Sequence, residues 1–574
     1  MAKRVVIVGA VALGPKAACR LKRLEPDAEV TLIDKDEMIS YGGCGIPYYV
    51  GGDVGEIDTL YSTSAHVPRN EGYFQDVKRV NVRTGTEAVS IDRKKKKLTI
   101  KRLADGTLED LPYDKLVLAT GARPVLPPIP GAALPSVFVV SNLHDAMTIK
   151  DKISKGQVEN AVVIGGGAIG VEMAEALTDL WGINTTLVEM MDQLFPTALG
   201  GDMALLAKNH MEQHDVRVLL GERVAEIKGD AAGGVKSIVT DKQEISCEMV
   251  IISVGIRPNT DLAKEAGLAV GRYGGILVDH RMRTSDPEIY AGGDCVEIPH
   301  LVNGEHILMP LGSLANRQGR VIGTNLAGGF MTFKGTVGSF CVKIFDLCFA
   351  RAGLTVTQAE AAGFDAVHSV VVQADRAHFY PTMQLMYMKL IADRKTRRIL
   401  GVEAAGFQGD AVKARVDAVA VTLSYNATVD EIANLEVAYS PPFASAMDIV
   451  NNAANSLDNI LSGLHKPVDV IDFLEKFKSG KVHVLDVRSP VQAGPFVEKY
   501  GDRWINIEEN ELFYRLDEVP REAPLYLVCG SGPRSYEAQL LLRNKGIHAD
   551  TLNIQGGLGM ILMSDPAFAP EGYK

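Results

Sequence analysis

Short runs of branched apolar residues alternate with amphipathic stretches at the start of the chain. The run Val5–Val8 predicts a buried strand, Lys16–Leu24 a helix, and Val30–Ile33 a second strand that closes on Asp34. A strand, a crossover helix and a second strand make a βαβ unit, in which the two strands lie parallel. The pattern therefore predicts an α/β fold at the N-terminus.

The turn of this unit has glycines at two positions of a dinucleotide-binding motif. Gly9 and Gly14 suit a tight turn and close helix packing, and Asp34 can accept ribose hydroxyls. Val11 stands where the middle glycine of the motif belongs. A plain turn between strand and helix therefore stays open as the alternative.

A second copy of the motif is complete. Gly165, Gly167 and Gly170 follow a strand and open a helix, and the next strand, Thr185–Val188, ends at Glu189. A carboxylate there accepts hydrogen bonds from a ribose diol and repels a 2′-phosphate. We therefore expect NADH to be preferred, with NADPH possible, and two nucleotide sites indicate a flavin and a nicotinamide.

Composition and charge narrow the class of partner. The 574 residues predict three or four domains, and a net charge of −11 argues against nucleic acid and anionic membranes, which leaves small molecules. No apolar run reaches the 18 residues of a membrane span, so we expect a cytoplasmic protein. The seven cysteines are too scattered for a disulfide framework or a zinc site, and we predict no metal.

One cysteine stands among glycines in SYGGCGIPYYVGG, Ser40–Gly52. The glycines around Cys44 allow close backbone approach to a cofactor and a substrate. A lone thiol beside a flavin can hold a second sulfur from outside or an oxygen as sulfenic acid. An inert buried thiol is the alternative, and it is our expectation for Cys19, Cys247, Cys295, Cys341 and Cys348.

Three further segments carry a family resemblance: LVLATGARP (Leu116–Pro124), IISVGIRPN (Ile251–Asn259) and TSDPEIYAGGD (Thr284–Asp294). They resemble the pyridine nucleotide-disulfide oxidoreductases, and the resemblance extends from the start to about Leu461. It implies FAD and NAD(P)H as cofactors, with the ribityl chain of FAD on Asp294. The cofactor-binding residues we predict are Gly9, Gly14, Asp34, Lys35, Ala88, Thr120, Gly121, Arg123, Asp294, Gly165, Gly167, Gly170, Glu189 and Gly255.

Cys44 has Tyr49 where dithiol members of the family carry a second cysteine. The chain resembles the single-cysteine branch, which includes coenzyme A-disulfide reductases, NADH oxidases and NADH peroxidases. Ala12, in place of the peroxidases' histidine, counts against peroxide chemistry. The resemblance implies that Tyr380 and Tyr439 reach the cysteine of the other subunit of a homodimer, with interfacial packing as the alternative.

The same resemblance implies coenzyme A as substrate or bound ligand. Arg20, Arg23, Ser40 and Lys78 stand at positions matching the family's coenzyme A contacts, and the three cations suit phosphates. Ordinary solvated charges on the helix surface are the alternative. Met447 replaces a lysine that relatives often carry, so the breadth of substrates is open.

The last 105 residues or so resemble a rhodanese. VHVLDVRSP and the later LYLVCGSGPRSYEAQ match its strands, with Cys529 and Arg534 in the active loop. A cysteine at a strand end, facing backbone N–H groups, a helix N-terminus and an arginine, is expected as a thiolate that carries sulfane sulfur. Residues 500–503 replace the usual His-x-Pro-Gly stretch, and a core cysteine is the alternative.

We therefore expect an α/β protein with two Rossmann-like domains, an α+β dimerisation domain and a C-terminal rhodanese domain. The expected bounds are 1–116 and 244–328 for FAD, 117–243 for NAD(P)H, 329–461 for dimerisation and 462–574 for the rhodanese.

The predicted function is NAD(P)H-dependent reduction of a persulfide, polysulfide or coenzyme A disulfide through Cys44. An NADH oxidase with a cysteine sulfenic acid, and a slow redox sensor or sulfur-delivery protein, are the alternatives. The physiological sulfur donor and the direction of sulfur transfer between Cys44 and Cys529 stay open.

Overall fold

The computed structural model describes residues 2–480, 482–521, 524–547 and 550–573. The chain forms two compact units. The first contains the residues up to Met190 together with Gly221–Thr336, and the second contains Met191–Leu220 and the chain from Val337 onward.

The first unit is built on two parallel sheets, as the two βαβ patterns predict. In one sheet the strand order is Ile289–Ala291, Lys115–Leu118, Arg4–Val8, Glu29–Ile33, Asn81–Arg83, and every pair is parallel. Its strands Arg4–Val8, Glu29–Ile33 and Lys115–Leu118 are largely buried on both faces, which explains their Val, Ile and Leu runs.

The second parallel sheet runs Asn184–Glu189, Asn160–Ile164, Met249–Ile252, Val137–Phe138 within this unit. Met249–Ile252 pairs with Asn160–Ile164 in parallel register, so its apolar side chains complete this core rather than the FAD-binding one. We therefore propose to move the domain boundary from residue 243 to a point after Ile252.

The remaining elements of the first unit connect and flank these sheets. Its other strands are Thr86–Asp92, Lys97–Arg102, Leu108–Pro112, Ala122–Pro124, Val224–Gly229, Val235–Thr240, Glu244–Ser246, Ile256–Pro258, Ile276–Leu277, Val296–Pro299 and His306–Ile307. Its α-helices are Leu13–Leu24, Ile46–Gly51, Glu71–Lys78, Leu143–Ser154, Ala168–Thr178, Asp261–Glu265 and Gly312–Leu326, and its 3₁₀ turns are Gly43–Gly45 and Ile57–Tyr61. The lysine-rich run after Asp92 forms the tip of a hairpin, because Thr86–Asp92 and Lys97–Arg102 pair antiparallel.

The second unit joins an antiparallel sheet to a smaller parallel one. The antiparallel order is Phe340–Ile344, Leu347–Gly353, Ile399–Gly406, Leu385–Asp393, Ala366–Ala374. The parallel order is Pro467–Val468, Thr551–Ile554, Leu525–Val528, His483–Asp486, Trp504–Asn506. The α/β fold class, with two Rossmann-type sheets and an α+β domain, is confirmed, and the smaller sheet shows that the C-terminal segment is also α/β.

Helices cover both sheets of the second unit. They are Gly201–Gln213, Val356–Ala361, Gly409–Leu423, Val429–Ala433, Ile449–Leu461, Val470–Lys478, Pro490–Tyr500, Glu509–Leu512, Pro533–Asn544 and Gly557–Ser564, with a further strand at Arg217–Leu220 and 3₁₀ turns at Gly501–Arg503, Leu516–Glu518 and Pro566–Phe568. Among the described residues, no helix combines the length and apolar character needed to cross a membrane.

The two sheets of the second unit meet along the strand Ala366–Ala374. Gln555 Oε1 accepts a 2.8 Å hydrogen bond from the Val370 amide, and its Nε2 donates to Asp469 Oδ1 at 2.8 Å. A Cβ on Gly556 would lie 3.0 Å from Val372 Cγ2. The C-terminal domain is therefore seated on this strand by close packing and by buried polar contacts.

Candidate active site

The first glycine turn is shaped by two close backbone approaches. A Cβ on Gly9 would lie 2.1 Å from the Ala119 carbonyl oxygen, and one on Gly14 would lie 1.9 Å from the Gly9 oxygen. Gly9 also has φ +108°, a region that favours glycine. Any side chain at either position would push the helix Leu13–Leu24 off the sheet edge, so both glycines are sterically required.

Asp34 ties the end of its strand to this turn. Its Oδ2 accepts a 2.7 Å hydrogen bond from the Ala10 amide, and its Oδ1 accepts one of 3.0 Å from Asp36. Burial raises the pKa of the Asp34 carboxyl, and these backbone hydrogen bonds oppose the rise. Asp34 therefore helps to hold the turn in place.

The second turn repeats the same contacts. A Cβ on Gly165 would lie 2.2 Å from the Ser253 oxygen, and one on Gly170 would lie 2.0 Å from the Gly165 oxygen. Glu189 Oε2 accepts a 2.7 Å hydrogen bond from the Gly166 amide. A Cβ on Gly167 would meet nothing within 4 Å, so the turn faces open space at the helix N-terminus, where phosphates bind.

Asp294 lies just beyond a strand end of the first sheet. A Cβ on Gly292, two residues earlier, would lie 2.4 Å from Leu13 Cδ1. This close approach brings Asp294 to the sheet edge that carries the Gly9 turn. Burial raises the pKa of Asp294, and its side chain has no hydrogen-bond partner among the described residues. A desolvated, unpaired carboxylate beside a dinucleotide turn fits the ribityl hydroxyls of FAD.

The predicted linking segment forms a two-stranded pair between Ala122–Pro124 and Ile256–Pro258. Thr120 Oγ1 donates to the Asn259 carbonyl at 2.6 Å, and Arg123 contacts Asn259 Oδ1 at 2.9 Å. Gly121 and Gly255 both have positive φ, of +63° and +103°. Lys35 is exposed beside Asp34, and Ala88 is half-buried on Thr86–Asp92 at a bulge.

Cys44 lies in the short turn Gly43–Gly45, before the helix Ile46–Gly51. The residue is exposed, while protein on its inner side desolvates the sulfur enough to raise the pKa of the thiol. The charges of Glu172 and Asp294 raise this pKa further, and the Gly312 backbone opposes them. The thiol therefore lies within electrostatic reach of a carboxylate from each nucleotide site.

Glu172 is a functional candidate that the sequence reasoning missed. It lies on the helix Ala168–Thr178, which packs against the helix Ile46–Gly51 that follows Cys44. A Cβ on Gly51 would lie 3.2 Å from Ala176. Burial and the neighbouring Glu175 raise the pKa of Glu172 to about 7. It can therefore hold or release a proton near neutral pH beside the thiol.

A cleft of about 770 Å³ leads to the segment that precedes Cys44. Ser40, Tyr41 and Gly42 form part of its wall, together with the aromatic residues Tyr73 and Phe74. Six cations also form part of the wall: Lys16, Lys22, Arg23, Arg69, Lys78 and Arg79. No Asp or Glu in the described part of the chain belongs to this wall, so the cleft suits a polyanion.

Of the four predicted coenzyme A contacts, Arg23, Ser40 and Lys78 lie in this cleft. Arg20 instead packs on the helix Gly312–Leu326, where its Nε donates to Thr324 Oγ1 at 3.1 Å. Arg69 and Arg79 were not predicted, because each becomes part of the wall only through the fold of the segment around Glu71–Lys78.

Tyr380 and Tyr439 belong to two loops of the second unit that lie side by side. The Ala377 amide donates to the Pro441 carbonyl at 3.1 Å, and Ser445 Oγ donates to Arg376 O at 3.0 Å. Tyr439 is 53% exposed. Further exposed apolar side chains lie on these two loops and the residues next to them: Phe379, Met383, Leu385, Phe443 and Met447.

Cys529 ends the central strand of the C-terminal sheet and opens the loop before Pro533–Asn544. Its sulfur accepts hydrogen bonds from the Gly532 amide at 3.0 Å and from Ser535 Oγ at 3.4 Å. Arg534 Nη2 lies 3.8 Å from the position of a Cβ on Gly530, so the guanidinium borders the same loop. The predicted cysteine and arginine are brought together.

A buried histidine, not predicted, supports this loop. His465 Nε2 accepts a hydrogen bond from Asn553 Nδ2 at 3.0 Å, and the same amide donates to the Gly532 carbonyl at 3.3 Å. Burial lowers the pKa of His465 to about 4, so the ring is neutral at physiological pH. The accepting role of Nε2 agrees with a neutral imidazole.

Two glycine turns with their carboxylates and one thiol between them define a redox protein that binds two nucleotides. A pyridine nucleotide-disulphide oxidoreductase model matches residues 3–306, and the dimerisation domain of that family matches residues 339–450. The chain belongs to the pyridine nucleotide-disulphide oxidoreductase family and is an FAD- and NAD(P)H-dependent oxidoreductase.

Named relatives differ in their activity. An NAD(P)H coenzyme A polysulfide/persulfide reductase of Pyrococcus horikoshii is 33% identical over 78% of this chain and 97% of its own. An NADH oxidase of Methanocaldococcus jannaschii is also 33% identical, over 79% and 98%. The solved NAD-dependent persulfide reductase of A. fulgidus is 38% identical, with a TM-score of 0.92 over 97% of this chain and 99% of that one.

We predict that Glu172→Gln lowers the pKa of the Cys44 thiol. Above pH 7 Glu172 is mostly ionised, so its charge opposes the thiolate, and glutamine removes that opposition. The measurement is the rate of iodoacetamide alkylation against pH, in a Cys341→Ser background because Cys341 is also exposed. The exposed Glu159→Gln is the charge-matched control, and an unchanged profile for Glu172→Gln would contradict the prediction.

We predict that the C-terminal domain loses stability as the pH falls from about 6.5 to 4. Over this range His465 takes up a proton in the unfolded chain but stays neutral when folded, which amounts to about 3 kcal/mol. His465→Gln should flatten this dependence in calorimetric scans of the full chain, while exposed His306→Gln should not. An equally steep dependence in His465→Gln would refute the assignment.

Proposed function

We propose that this protein reduces a persulfide, polysulfide or disulfide with NAD(P)H through Cys44. The observation that carries the proposal is the position of the lone thiol: carboxylates of both nucleotide sites act on it, and a cation-lined cleft ends two residues away. A nucleophile so placed can receive electrons from one side and a sulfur substrate from the other.

The overall reaction on a persulfide is RSSH + NADH + H⁺ → RSH + H₂S + NAD⁺. The Cys44 thiolate attacks one sulfur of the substrate, so a Cys44–sulfur bond forms, the substrate S–S bond breaks, and the other sulfur leaves with a proton. Two electrons from NADH and a second proton would then break the Cys44–sulfur bond, which releases the second sulfur and restores the thiolate. Bound FAD supplies the electron relay between NADH and sulfur. Glu172, with a pKa near 7, is the group we assign to hold the proton that the leaving sulfur takes.

Coenzyme A is the carrier that the cleft supports best. Its phosphates match Arg23, Lys78 and the further cations Arg69 and Arg79, while the partly exposed ring of Tyr73 offers a face for a purine. The pantetheine arm would then reach Cys44 past Ser40. The name of the P. horikoshii relative agrees with this choice of carrier.

We further propose that the C-terminal domain is a rhodanese that carries sulfane sulfur on Cys529. Two hydrogen-bond donors on the sulfur and a neighbouring arginine stabilise a charged sulfur in this loop. The solved persulfide reductase covers 97% of this chain, so its similarity extends into this domain. Sulfur held there is chemically the substrate that Cys44 reduces.

The functional form we propose is a homodimer, since the family's dimerisation domain matches residues 339–450. The exposed apolar side chains of the two loops that carry Tyr380 and Tyr439 would be covered in such a dimer. Because these loops lie side by side, we retain the prediction that both tyrosines serve the partner subunit's cysteine.

An NADH oxidase is the second candidate, because one relative of equal identity carries that name. In that case Cys44 would cycle as a sulfenic acid and the cation-lined cleft would have no role. The two functions therefore differ in whether NADH is consumed without oxygen.

We predict that Cys44→Ser reduces anaerobic NADH turnover with coenzyme A persulfide by at least about 1,000-fold, since the covalent step is lost. Cys529→Ser should leave that rate within about twofold and abolish sulfur transfer from thiosulfate to cyanide. Turnover in air that exceeds anaerobic turnover with every sulfur substrate, and that survives in Cys529→Ser, would establish the oxidase instead.

We predict that Lys78→Met raises KM for coenzyme A persulfide about tenfold and leaves kcat unchanged, because one charge-assisted contact is lost. Inorganic polysulfide, which lacks phosphates, should show no change. Lys94→Met, in the exposed hairpin tip, is the charge-matched control. Equal effects on both substrates would argue against a phosphate-binding cleft.

A further inference from the structure

A cluster of two histidines and one aspartate lies in the second unit, in neither of the sites described above. His210 is in the last turn of the helix Gly201–Gln213, His214 follows that helix, and Asp346 is in the turn between Phe340–Ile344 and Leu347–Gly353. One side-chain ligand atom from each lies within 4.8 Å of the others.

The two histidines are four residues apart, the spacing that puts side chains on one helix face. His214 Nδ1 lies 2.9 Å from the His210 carbonyl oxygen. A carbonyl can only accept, so Nδ1 carries the hydrogen and Nε2 has a free lone pair. This is how ligating histidines are commonly oriented, with one nitrogen fixed by a backbone carbonyl and the other presented to the metal.

His210 presents its Nε2 in the same direction from a buried position. The side chain is 4% exposed, and Nε2 has no aligned hydrogen-bond partner among the described residues, although Asp346 Oδ1 is only 2.8 Å away. A buried polar atom of this kind calls for a partner.

Asp346 is brought to the histidines by a constrained turn. Ile344 pairs with Leu347, so Phe345 and Asp346 form a two-residue hairpin loop, and Phe345 has φ +53°, which is unusual for a bulky residue. The Phe345 ring stacks on His214 with centroids 4.3 Å apart and an interplanar angle of 11°. This stacking fixes both the imidazole and the turn.

We propose that His210, His214 and Asp346 bind one Zn²⁺ ion, which fastens the end of the helix Gly201–Gln213 to the 345–346 hairpin turn. The proposal is independent of the sulfur chemistry assigned to Cys44 and Cys529. It also departs from the expectation, based on scattered cysteines, that the protein holds no metal.

The spacing of the ligands suits this ion. Bonds of 2.0–2.1 Å in a tetrahedron place ligand atoms about 3.3 Å apart. The Asp346 Oδ1 lies 2.8 Å from His210 Nε2 and 3.9 Å from His214 Nε2. Small side-chain rotations would bring both distances to the tetrahedral value. The rings of Phe345 and Phe407 cover one side of the imidazoles, and exposed Asp346 leaves the fourth position to water.

The test uses the full-length holoprotein, stripped with a chelator and titrated with Zn²⁺ in a calorimeter. We expect a site of one ion per chain that is lost in His214→Gln and in Asp346→Asn, both of which alter side chains that are at least partly exposed. The exposed His306→Gln is the matched control and should retain the site. Zinc should also raise the thermal unfolding temperature of the wild type and not that of the two ligand variants.

X-ray absorption at the zinc edge distinguishes binding at this site from binding to the cysteines. We expect only nitrogen and oxygen scatterers at about 2.0 Å in the first shell, whereas thiolate ligation would place sulfur at about 2.3 Å. Sulfur in the first shell, or equal zinc binding in wild type, His214→Gln and Asp346→Asn, would overturn the proposal.

Discussion

The close approach of each glycine turn to a neighbouring backbone fixes everything else at the nucleotide sites. At Gly9 and Gly165 the space for a Cβ is already taken by a carbonyl oxygen about 2 Å away, and at Gly14 and Gly170 by the first glycine's own oxygen. The helix N-terminus is thereby held at the sheet edge, and a carboxylate from the next strand locks the turn. The first unit contains this arrangement of glycine turn and carboxylate twice, once on each parallel sheet. Each sheet can therefore hold one dinucleotide.

Acidic and basic side chains act on different parts of the segment Ser40–Cys44. Glu172 and Asp294 act on the thiol from the nucleotide sites and oppose its ionisation, whereas the cleft wall that contains Ser40, Tyr41 and Gly42 is cationic. The thiol is consequently a weak acid at rest, which limits wasteful oxidation. A polyanionic carrier is drawn to the cationic wall, and release of a proton from Cys44 is then coupled to the protonation state of Glu172.

The sequence was most informative where the local pattern alone determines structure. Strand runs and the glycine turns depend on neighbours in sequence, and the structure has both where they were predicted. The structure also explains Val11 in a glycine position: it lines the cleft, while the steric contacts fall on Gly9 and Gly14. Glu172, Arg69 and His465 went unrecognised because a glutamate on a helix or a lone histidine has no distinctive spacing. Their roles arise from burial and from partners distant in sequence.

In the C-terminal domain, the loop that holds Cys529 is kept in place by a second set of buried residues. Cys529 is only 1% exposed, and its sulfur is already engaged by the Gly532 amide and Ser535. The loop is held from behind by Asn553 and His465, and Leu558 N–H bonds the Cys529 carbonyl at 2.8 Å. An incoming sulfur donor therefore meets almost no sulfur surface. The Gly530 and Gly532 carbonyls are themselves held, by the Gly559 amide and by Asn553, so exposing the sulfur requires these contacts to give way.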